Sequence, residues 1–244
     1  MKKIMFNDKY CLIKAVLEGK KTMTRRIIKP QPTYCGDKGL LWKGIGFDNP
    51  TDAYKNFVSN SPIKIGEVVA IAQSYCKLYA EMIIEGWSKH NYHIPREDSA
   101  DMFRQKFENH KGWNNKMFVR ADVMPHRIRI TDIKVERLQE ISREDCLLEG
   151  IYHDVADGFG LWWWDMEDMK LQNELLRHEW NGEEGLYFWD TPYGAFAALI
   201  DKIYGKGTWD KNPFVFAYEF DVIDLIQKSK SSFHGNSKKL CKRP

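Results

Sequence analysis

The fold is decided by residues 8–28, which read DKYCLIKAVLEGKKTMTRRII. Apolar residues recur at helical spacing in the first half, so residues 8–18 predict an amphipathic helix that Gly19 ends. Residues 21–28 then alternate with the period of a β-strand whose two faces are both partly polar. The sequence therefore predicts a helix, a tight turn and a strand in this order over residues 8–28.

Further helices and strands are predicted from apolar periodicity and capping residues. They are a buried strand over 68–72, a helix over 95–110 with Met102, Phe103 and Phe107 inward, a strand region over 117–138 with a phase shift near residues 131–132, a short helix over 142–149, a helix over 192–204 and a buried strand over 213–222. This order lacks the regular alternation of a parallel βαβ sheet. It predicts an α+β fold in which flanking helices surround a closed or nearly closed mixed β-barrel.

Charge is distributed unevenly along the 244 residues, although the formal net charge is only +3. Residues 1–30 hold nine basic and two acidic residues, and residues 228–244 hold six basic residues and no acid. Residues 151–190 hold ten acidic residues, two basic ones and five of the nine tryptophans. We therefore expect one domain over 1–227 with an acidic, Trp-rich insertion at about 151–190, followed by a disordered basic tail over 228–244. The basic ends suit a phosphate-bearing partner, and a solvated face with a disordered tail explains them equally well.

Several classes of protein are excluded by what the sequence lacks. No apolar run approaches the roughly 20 residues that span a bilayer, and no apolar segment follows the first lysines as a secretion signal requires. The five cysteines contain no Cys-x-x-Cys pair, and the seven histidines are scattered, so no metal site is expected. We expect a cytoplasmic protein with no membrane segment, no metal and no cofactor. The oligomeric state stays open.

Four segments resemble the ASCH domain family, in particular its larger, phage-associated members. The first, Gly19–Arg26, reads GKKTMTRR and is similar to the family signature Gly-x-Lys-x-x-x-Arg after a helix. The others agree with the family in order and spacing. They are the Gly66-Glu67 turn and its strand, the block from Val135 to Ile151 that contains VERLQEIS and EGI, and NPFVFAYEF over 212–220.

The resemblance implies a PUA-like β-barrel fold and a cleft beside the motif that binds RNA or modified nucleosides. Small members hydrolyse the acetyl amide of N4-acetylcytidine with a lysine, a threonine and a glutamate, which fall on Lys21, Thr24 and Glu149 here. Many large members also have a glutamate where this chain has Gln73, so binding without turnover is expected if that carboxylate contributes. The residues that the resemblance assigns to ligand binding are Gly19, Lys20, Thr22, Arg25, Arg26, Gln73 and Tyr75.

The chemistry of this motif sets a geometric condition. A threonine hydroxyl needs a base, and a lysine can serve when burial and neighbouring cations lower its pKa. On a regular strand Lys21 and Thr24 would point to opposite faces, so the triad requires Lys21 to lie in the turn after Gly19 or a bulge to redirect it. Arg25 and Arg26 also face opposite ways. We expect Arg26 to line the cleft and Arg25 to pair with an acid.

Three functions remain open from the sequence. The first is a binding module for RNA or a nucleoside derivative, the second an amidohydrolase for an N4-acylated cytidine-type nucleoside, and the third a protein interaction module. Aromatic rings could stack on bases in the first two cases, although most aromatic residues are core residues. The candidates for stacking are Trp42, Tyr75 and the cluster Trp162–Trp164.

Overall fold

A computed structural model describes most of the chain with side chains. The described residues are 1–34, 36, 39–84, 99–156, 159–164, 178–180, 183–185 and 189–223. Within them, no helix is long and apolar enough to cross a membrane. The predicted basic tail over 228–244 lies outside the described residues, as does much of the acidic part of the predicted insertion.

The described chain forms seven α-helices and twelve β-strands. The helices are α1 (Leu12–Leu17), α2 (Pro50–Ser59), α3 (Tyr75–Ile84), α4 (Ser99–Phe107), α5 (Arg143–Leu148), α6 (Pro192–Tyr204) and α7 (Thr208–Lys211). The strands are β1 (Lys3–Ile4), β2 (Met23–Ile27), β3 (Thr33–Tyr34), β4 (Leu40–Trp42), β5 (Ile45–Phe47), β6 (Val68–Ile71), β7 (Arg127–Arg137), β8 (Tyr152–Ala156), β9 (Phe159–Trp163), β10 (His178–Trp180), β11 (Glu183–Gly185) and β12 (Phe214–Ile223).

The chain divides into two compact units. The larger comprises residues 6–68 and 128–222, and the smaller comprises residues 1–5, 69–127 and 223–244. The larger unit contains Gly19–Arg26 and Glu149, and the smaller contains Gln73 and Tyr75. The candidate residues are therefore divided between the two units, and the larger one holds most of them.

In the larger unit, β12 has a strand on each side, in the order β7, β12, β2. It runs antiparallel to β2, with Tyr218 opposite Thr24 and Phe216 opposite Arg26. Residues 214–218 are all buried, as expected for the buried strand predicted over residues 213–222, whereas residues 219, 221 and 222 are partly or fully exposed. Residues that pair across two strands point to the same face of the sheet. This register therefore decides which side chain of β12 lies beside each side chain of β2.

Strand β7 confirms the phase shift predicted from the sequence. Ile128 and Ile130 are buried at alternate positions of the strand. After one additional residue, Ile133 and Val135 are again buried at alternate positions. The strand is shorter than the predicted region, because residues 116–118 and 121–123 form single 3-10 turns before it. The shift keeps apolar residues on the buried face along the whole strand.

The mixed α+β class is confirmed, and closure of a barrel is not found among the described strands. Each sheet has an edge strand at both ends, so none of the described sheets closes on itself. The five-stranded sheet is mixed, because β1 and β6 pair in parallel and β12 and β2 pair antiparallel. After β2, Pro30 and Pro32 interrupt the chain, and β3, β4 and β5 form a separate three-stranded antiparallel sheet. Proline removes the N–H donors that a continuing sheet would need.

The smaller unit has a core between α3 and α4. Phe103 and Phe107 are buried and pack against Tyr75, as one face of the predicted helix requires. The prediction that Met102 also points inward is wrong, because 54% of that residue is exposed. Successive helical residues lie about 100° apart, so Met102 falls outside the stripe that Phe103 and Phe107 form.

The described part of the predicted insertion consists of two hairpins, β8–β9 and β10–β11. Trp162 packs on His153, and Trp164 stacks on Trp189 with ring centroids 4.8 Å apart. Trp162 and Trp164 are only 4% and 3% exposed, which favours the interpretation of these rings as core. The side chain of Trp163, the third ring of the Trp162–Trp164 cluster, lies outside the described residues.

Candidate functional site

The turn after α1 places Lys21 outside the strand. Gly19 adopts a left-handed φ of +72°, which glycine tolerates without steric cost. The backbone N–H groups of Lys20 and Lys21 both donate to the carbonyl of Ala15, so the chain folds back on α1 before β2 begins at Met23. This geometry meets the condition that the sequence sets for Lys21.

The glutamate of the candidate site lies at the C-terminal end of α5. Ser142 caps the helix by accepting a hydrogen bond from the N–H of Asp145, and Gly150, which follows the C-cap Glu149, has a φ of +93°. The N–H of Thr22 donates to the carbonyl of Leu148 at 2.9 Å, which ties the segment before β2 to this helix end. A methyl group at Gly150 would lie 3.5 Å from the Cβ of Lys21, so the two segments are in close contact.

Lys21 and Glu149 form a buried ion pair. Lys21 Nζ donates to Glu149 Oε2 at 2.5 Å and to the backbone carbonyl of Glu149 at 2.6 Å. The side chains are only 1% and 5% exposed. Burial lowers the pKa of Lys21 below its ordinary value, although the carboxylate of Glu149 opposes this shift.

Arg25 lies beside this pair and contacts three carboxylates. Its guanidinium donates to Glu136 Oε1 at 2.6 and 2.8 Å, to Asp145 Oδ2 at 2.7 Å and to Glu149 Oε1 at 3.2 Å. Burial alone would lower the pKa of Arg25, but the charges of Glu149 and Glu136 and the hydrogen bond to Asp145 raise it above its ordinary value. The prediction that Arg25 pairs with an acid is confirmed.

Further polar side chains lie close to Arg25 and its three carboxylate partners. The ammonium of Lys134 lies 3.7 Å from Asp145 Oδ1, with a side chain that is 46% exposed. Tyr204 donates its hydroxyl proton to the backbone carbonyl of Arg25 at 3.0 Å. Burial raises the pKa of Cys146 to about 12, so this thiol stays protonated and is not a nucleophile.

The opposite face of β2 carries Thr24 and Arg26. Thr24 is 5% exposed and lies opposite Tyr218, whose hydroxyl is 2.7 Å from Ser61 Oγ. Arg26 is partly exposed, and its guanidinium lies 5.6 Å from the centre of the Phe6 ring. Among the described residues, no hydrogen bond joins the hydroxyl of Thr24 to Lys21 or Glu149. The structure therefore brings Lys21 and Glu149 together without placing Thr24 in the same hydrogen-bonded group.

The remaining candidates have other surroundings. Lys20 is exposed and forms an ion pair with Glu18 at 2.7 Å, and Thr22 is partly exposed. Trp42 is 3% exposed and donates to the carbonyl of Pro30, so its ring is a core residue rather than a stacking platform. Its ring packs edge-on against the buried ring of Phe57 in α2, with the ring centroids 4.6 Å apart.

Gln73 and Tyr75 belong to the smaller unit. Gln73 is 1% exposed and donates to Glu81 Oε1 at 2.7 Å. Tyr75 is fully buried against Phe103 and Phe107, and its hydroxyl accepts a hydrogen bond from the N–H of Arg120. Tyr75 was a candidate for stacking on a base, and the structure places its ring inside a hydrophobic core.

Sequence reasoning missed the roles of Asp145 and Glu136. Asp145 lies four residues before Glu149, and that spacing places two carboxylates on one side of a helix. Glu136 is a partly buried acid in a strand whose apolar face is otherwise regular. A partly buried carboxylate is usually paired with a cation, but the burial of Glu136 is visible only in the structure, so the sequence offers no signal for its contact with Arg25.

Comparison of the chain with family models, with curated proteins and with solved structures found no match. The resemblance to ASCH domains therefore remains a prediction. Within the described residues, no group of three or more histidine, cysteine, aspartate or glutamate side chains is suited to hold a metal ion. The site is interpreted from its own residues and geometry.

Proposed function

We propose that this chain is an ASCH-type protein that binds a nucleoside, free or within RNA, beside residues 19–26. The observation that carries the proposal is the contact between Lys21 and Glu149 across 128 residues of sequence. These are two of the three residues that the resemblance assigns to the family site, and no composition or periodicity argument requires them to meet. A PUA-like arrangement of the strands belongs to the same proposal.

The chemistry of the site suits a nucleobase. Lys21 has three N–H donors and uses two of them on Glu149, so a third remains for a carbonyl or ring nitrogen of a base. The hydroxyl of Thr24 is a donor and an acceptor, which matches the mixed polar edge of a pyrimidine. Arg26 is a partly exposed residue, and a guanidinium can hold a phosphate or stack on a base.

The charges favour a small ligand over a long RNA strand. Arg25 directs its donors to Glu136, Asp145 and Glu149, so it is not available to phosphate groups. A continuous basic groove is the usual feature of proteins that follow an RNA backbone. We therefore expect weak dependence of binding on salt, because few counterions are released when one nucleoside binds.

Isothermal titration calorimetry tests the proposal with N4-acetylcytidine, cytidine, cytidine monophosphate and a short RNA that contains one N4-acetylcytidine. We expect Lys21→Met and Arg26→Gln to weaken binding at least about tenfold, equivalent to about 1.4 kcal/mol. Lys14→Met is the matched control, because Lys14 is an exposed lysine of α1 whose ammonium lies 3.9 Å from Glu18. Absence of binding to all four ligands, or unchanged affinity in Lys21→Met, would contradict the proposal.

Hydrolysis of an N4-acyl group is a second candidate function, and the lowered pKa of Lys21 favours it. A neutral Lys21 can accept the proton of the Thr24 hydroxyl as the oxygen attacks the acyl carbon. The carbon–nitrogen bond then breaks, and the same proton goes to the leaving amine. Water hydrolyses the resulting ester on Thr24 and releases the carboxylic acid. Glu149 would orient Lys21 throughout.

Ultraviolet absorbance of N4-acetylcytidine separates the two functions. Turnover that is lost in Thr24→Val and retained in Lys14→Met would support hydrolysis. Tight binding without turnover in the parent chain would leave the binding function and exclude hydrolysis of this substrate. Turnover that persists in both Thr24→Val and Lys21→Met would refute the assigned residues.

A further inference from the structure

Arg25 is turned inward in a way that a ligand-binding arginine is not. Its side chain is 1% exposed, and the hydrogen bonds of its guanidinium to three carboxylates involve Nε, Nη1 and Nη2. The guanidinium also lies 5.8 Å from the centre of the Phe196 ring, which covers it further. Arg25 thus acts on other protein groups rather than on a bound molecule.

The carboxylate of Glu149 is divided between two cations. Oε2 accepts from Lys21, and Oε1 accepts from Arg25. We propose that Arg25 is a positioning residue that acts through Glu149: it holds one carboxylate oxygen, so that Lys21 faces only part of the carboxylate charge. The proposal rests on the proposed function, because it explains how a buried lysine beside a carboxylate can stay available to a ligand.

The physical basis is the distance between the two cations. Two cations bridged by one carboxylate lie about 6 Å apart, and a unit charge at that distance changes a pKa by about two units at an effective dielectric constant of 20. Arg25 therefore offsets part of the stabilisation that Glu149 gives to the charged form of Lys21, and Arg26 acts in the same direction. This agrees with the lowered pKa of Lys21, for which burial is the largest cause.

Other charged groups also affect the pKa of Lys21. The groups that face Lys21 are Glu149 from the end of α5 and Arg25 and Arg26 from β2. The groups that face Arg25 are Glu136 from β7 and Asp145 and Glu149 from α5. Asp145 is also approached by Lys134. Removal of an acid from Arg25 should therefore act on Lys21 in the opposite direction to removal of Arg25.

Nuclear magnetic resonance titration of lysine labelled with 13C at Cε measures this directly in the full chain, with the Lys21 signal assigned by its loss in Lys21→Arg. We expect Arg25→Met to raise the titration midpoint of Lys21 by about one to two pH units. Arg25→Lys keeps a charge and should raise the midpoint less. Asp145→Asn removes an acid that contacts Arg25 and should lower it.

A double substitution shows whether Arg25 acts through Glu149. In the Glu149→Gln background only the direct repulsion between the two cations is left, so replacement of Arg25 by Met should move the midpoint less than it does in the parent chain. Midpoints that stay unchanged or fall in Arg25→Met, or effects that simply add in the double variant, would overturn the proposal. If Arg25→Met does not fold, Asp145→Asn and Arg25→Lys still give opposite expected shifts.

The titration does not require a ligand, so it separates this proposal from the proposed function. If the expected shifts occur and none of the nucleosides binds, Arg25 controls Lys21 and the nucleoside function is wrong. If nucleosides bind and Lys21 does not respond to Arg25, the function stands and this role of Arg25 is wrong. A purely structural role would lower the melting temperature of Arg25→Lys and leave the Lys21 midpoint unchanged.

Discussion

Replacement of Glu149 by glutamine should destabilise the protein strongly at neutral pH and less at alkaline pH. The substitution keeps the shape of the side chain and removes the charge that Lys21 and Arg25 share. Arg25 retains Glu136 and Asp145, so the cost falls on Lys21, whose side chain is 1% exposed. A buried ammonium without a counterion loses its proton rather than stay charged.

The size of the effect follows from the proton that Lys21 must release on folding. An unfolded lysine titrates near pH 10.4, so keeping Lys21 neutral at pH 7 costs about 4 to 5 kcal/mol, and the difference from the parent is smaller than this because burial already lowers the pKa of Lys21 there. In the variant, the unfolded chain binds this proton and the folded chain does not, so the stability of the variant rises with pH. The difference from the parent should shrink by about 1.4 kcal/mol per pH unit between pH 7 and 9, as long as the parent keeps Lys21 charged.

Urea denaturation followed by tryptophan fluorescence at pH 7, 8 and 9 measures this difference. Glu18→Gln is the control, because Glu18 pairs with Lys20 at a similar distance while both side chains are exposed, 38% and 51%. An exposed pair contributes less than about 1 kcal/mol, so this variant should match the parent at every pH. A cost below about 1 kcal/mol for Glu149→Gln, constant with pH, would refute the buried ion pair.

Three further predictions concern α5 and its ends. Ser142→Ala should lower the free energy of unfolding by about 1 kcal/mol, because the hydroxyl of Ser142 caps the N–H of Asp145; urea denaturation measures it, and no change would argue against the cap. Gly150→Ala should cost about 1 to 2 kcal/mol in the same assay, because its φ is +93°, and an unchanged midpoint would be inconsistent with this backbone. Cys146 should resist iodoacetamide at pH 8 in the folded protein, with a pKa of about 12, whereas partly exposed Cys11 reacts; peptide mass spectrometry distinguishes them, and equal labelling would contradict the burial of Cys146.

The bounds of individual helices could be predicted from the sequence where a clear local pattern determines them. The helix over 192–204 matches α6, and the capped helix over 142–149 matches α5 within one residue at each end, because capping residues and apolar spacing agree there. The first helix was predicted too long. Cys11 adopts a left-handed φ of 48° and divides the segment into a 3-10 turn and α1, a break that apolar spacing does not reveal.

The candidate site was predictable in part. The pairing of Arg25 with an acid followed from strand alternation, but the sequence did not show which acids, since Glu136 and Asp145 are more than 100 residues away. The burial of Trp42 and Tyr75 was also hidden, because an aromatic ring in a core and one in a cleft have the same local pattern. Tertiary contacts of this kind depend on how sheets and helices pack, and spacing alone does not encode them.

The position of β2 has a consequence for synthesis of the protein. Among the described strands, β12 is the one hydrogen-bonded neighbour of β2, and it is nearly 200 residues further along the chain. Lys21 and Arg25 therefore leave the ribosome long before β12 and before the acids of α5, and they remain solvated cations in the nascent chain. A product that stops before residue 214 would contain Lys21, Arg25 and their carboxylate partners, but it would leave β2 with an unpaired edge, which is a template for pairing with another chain.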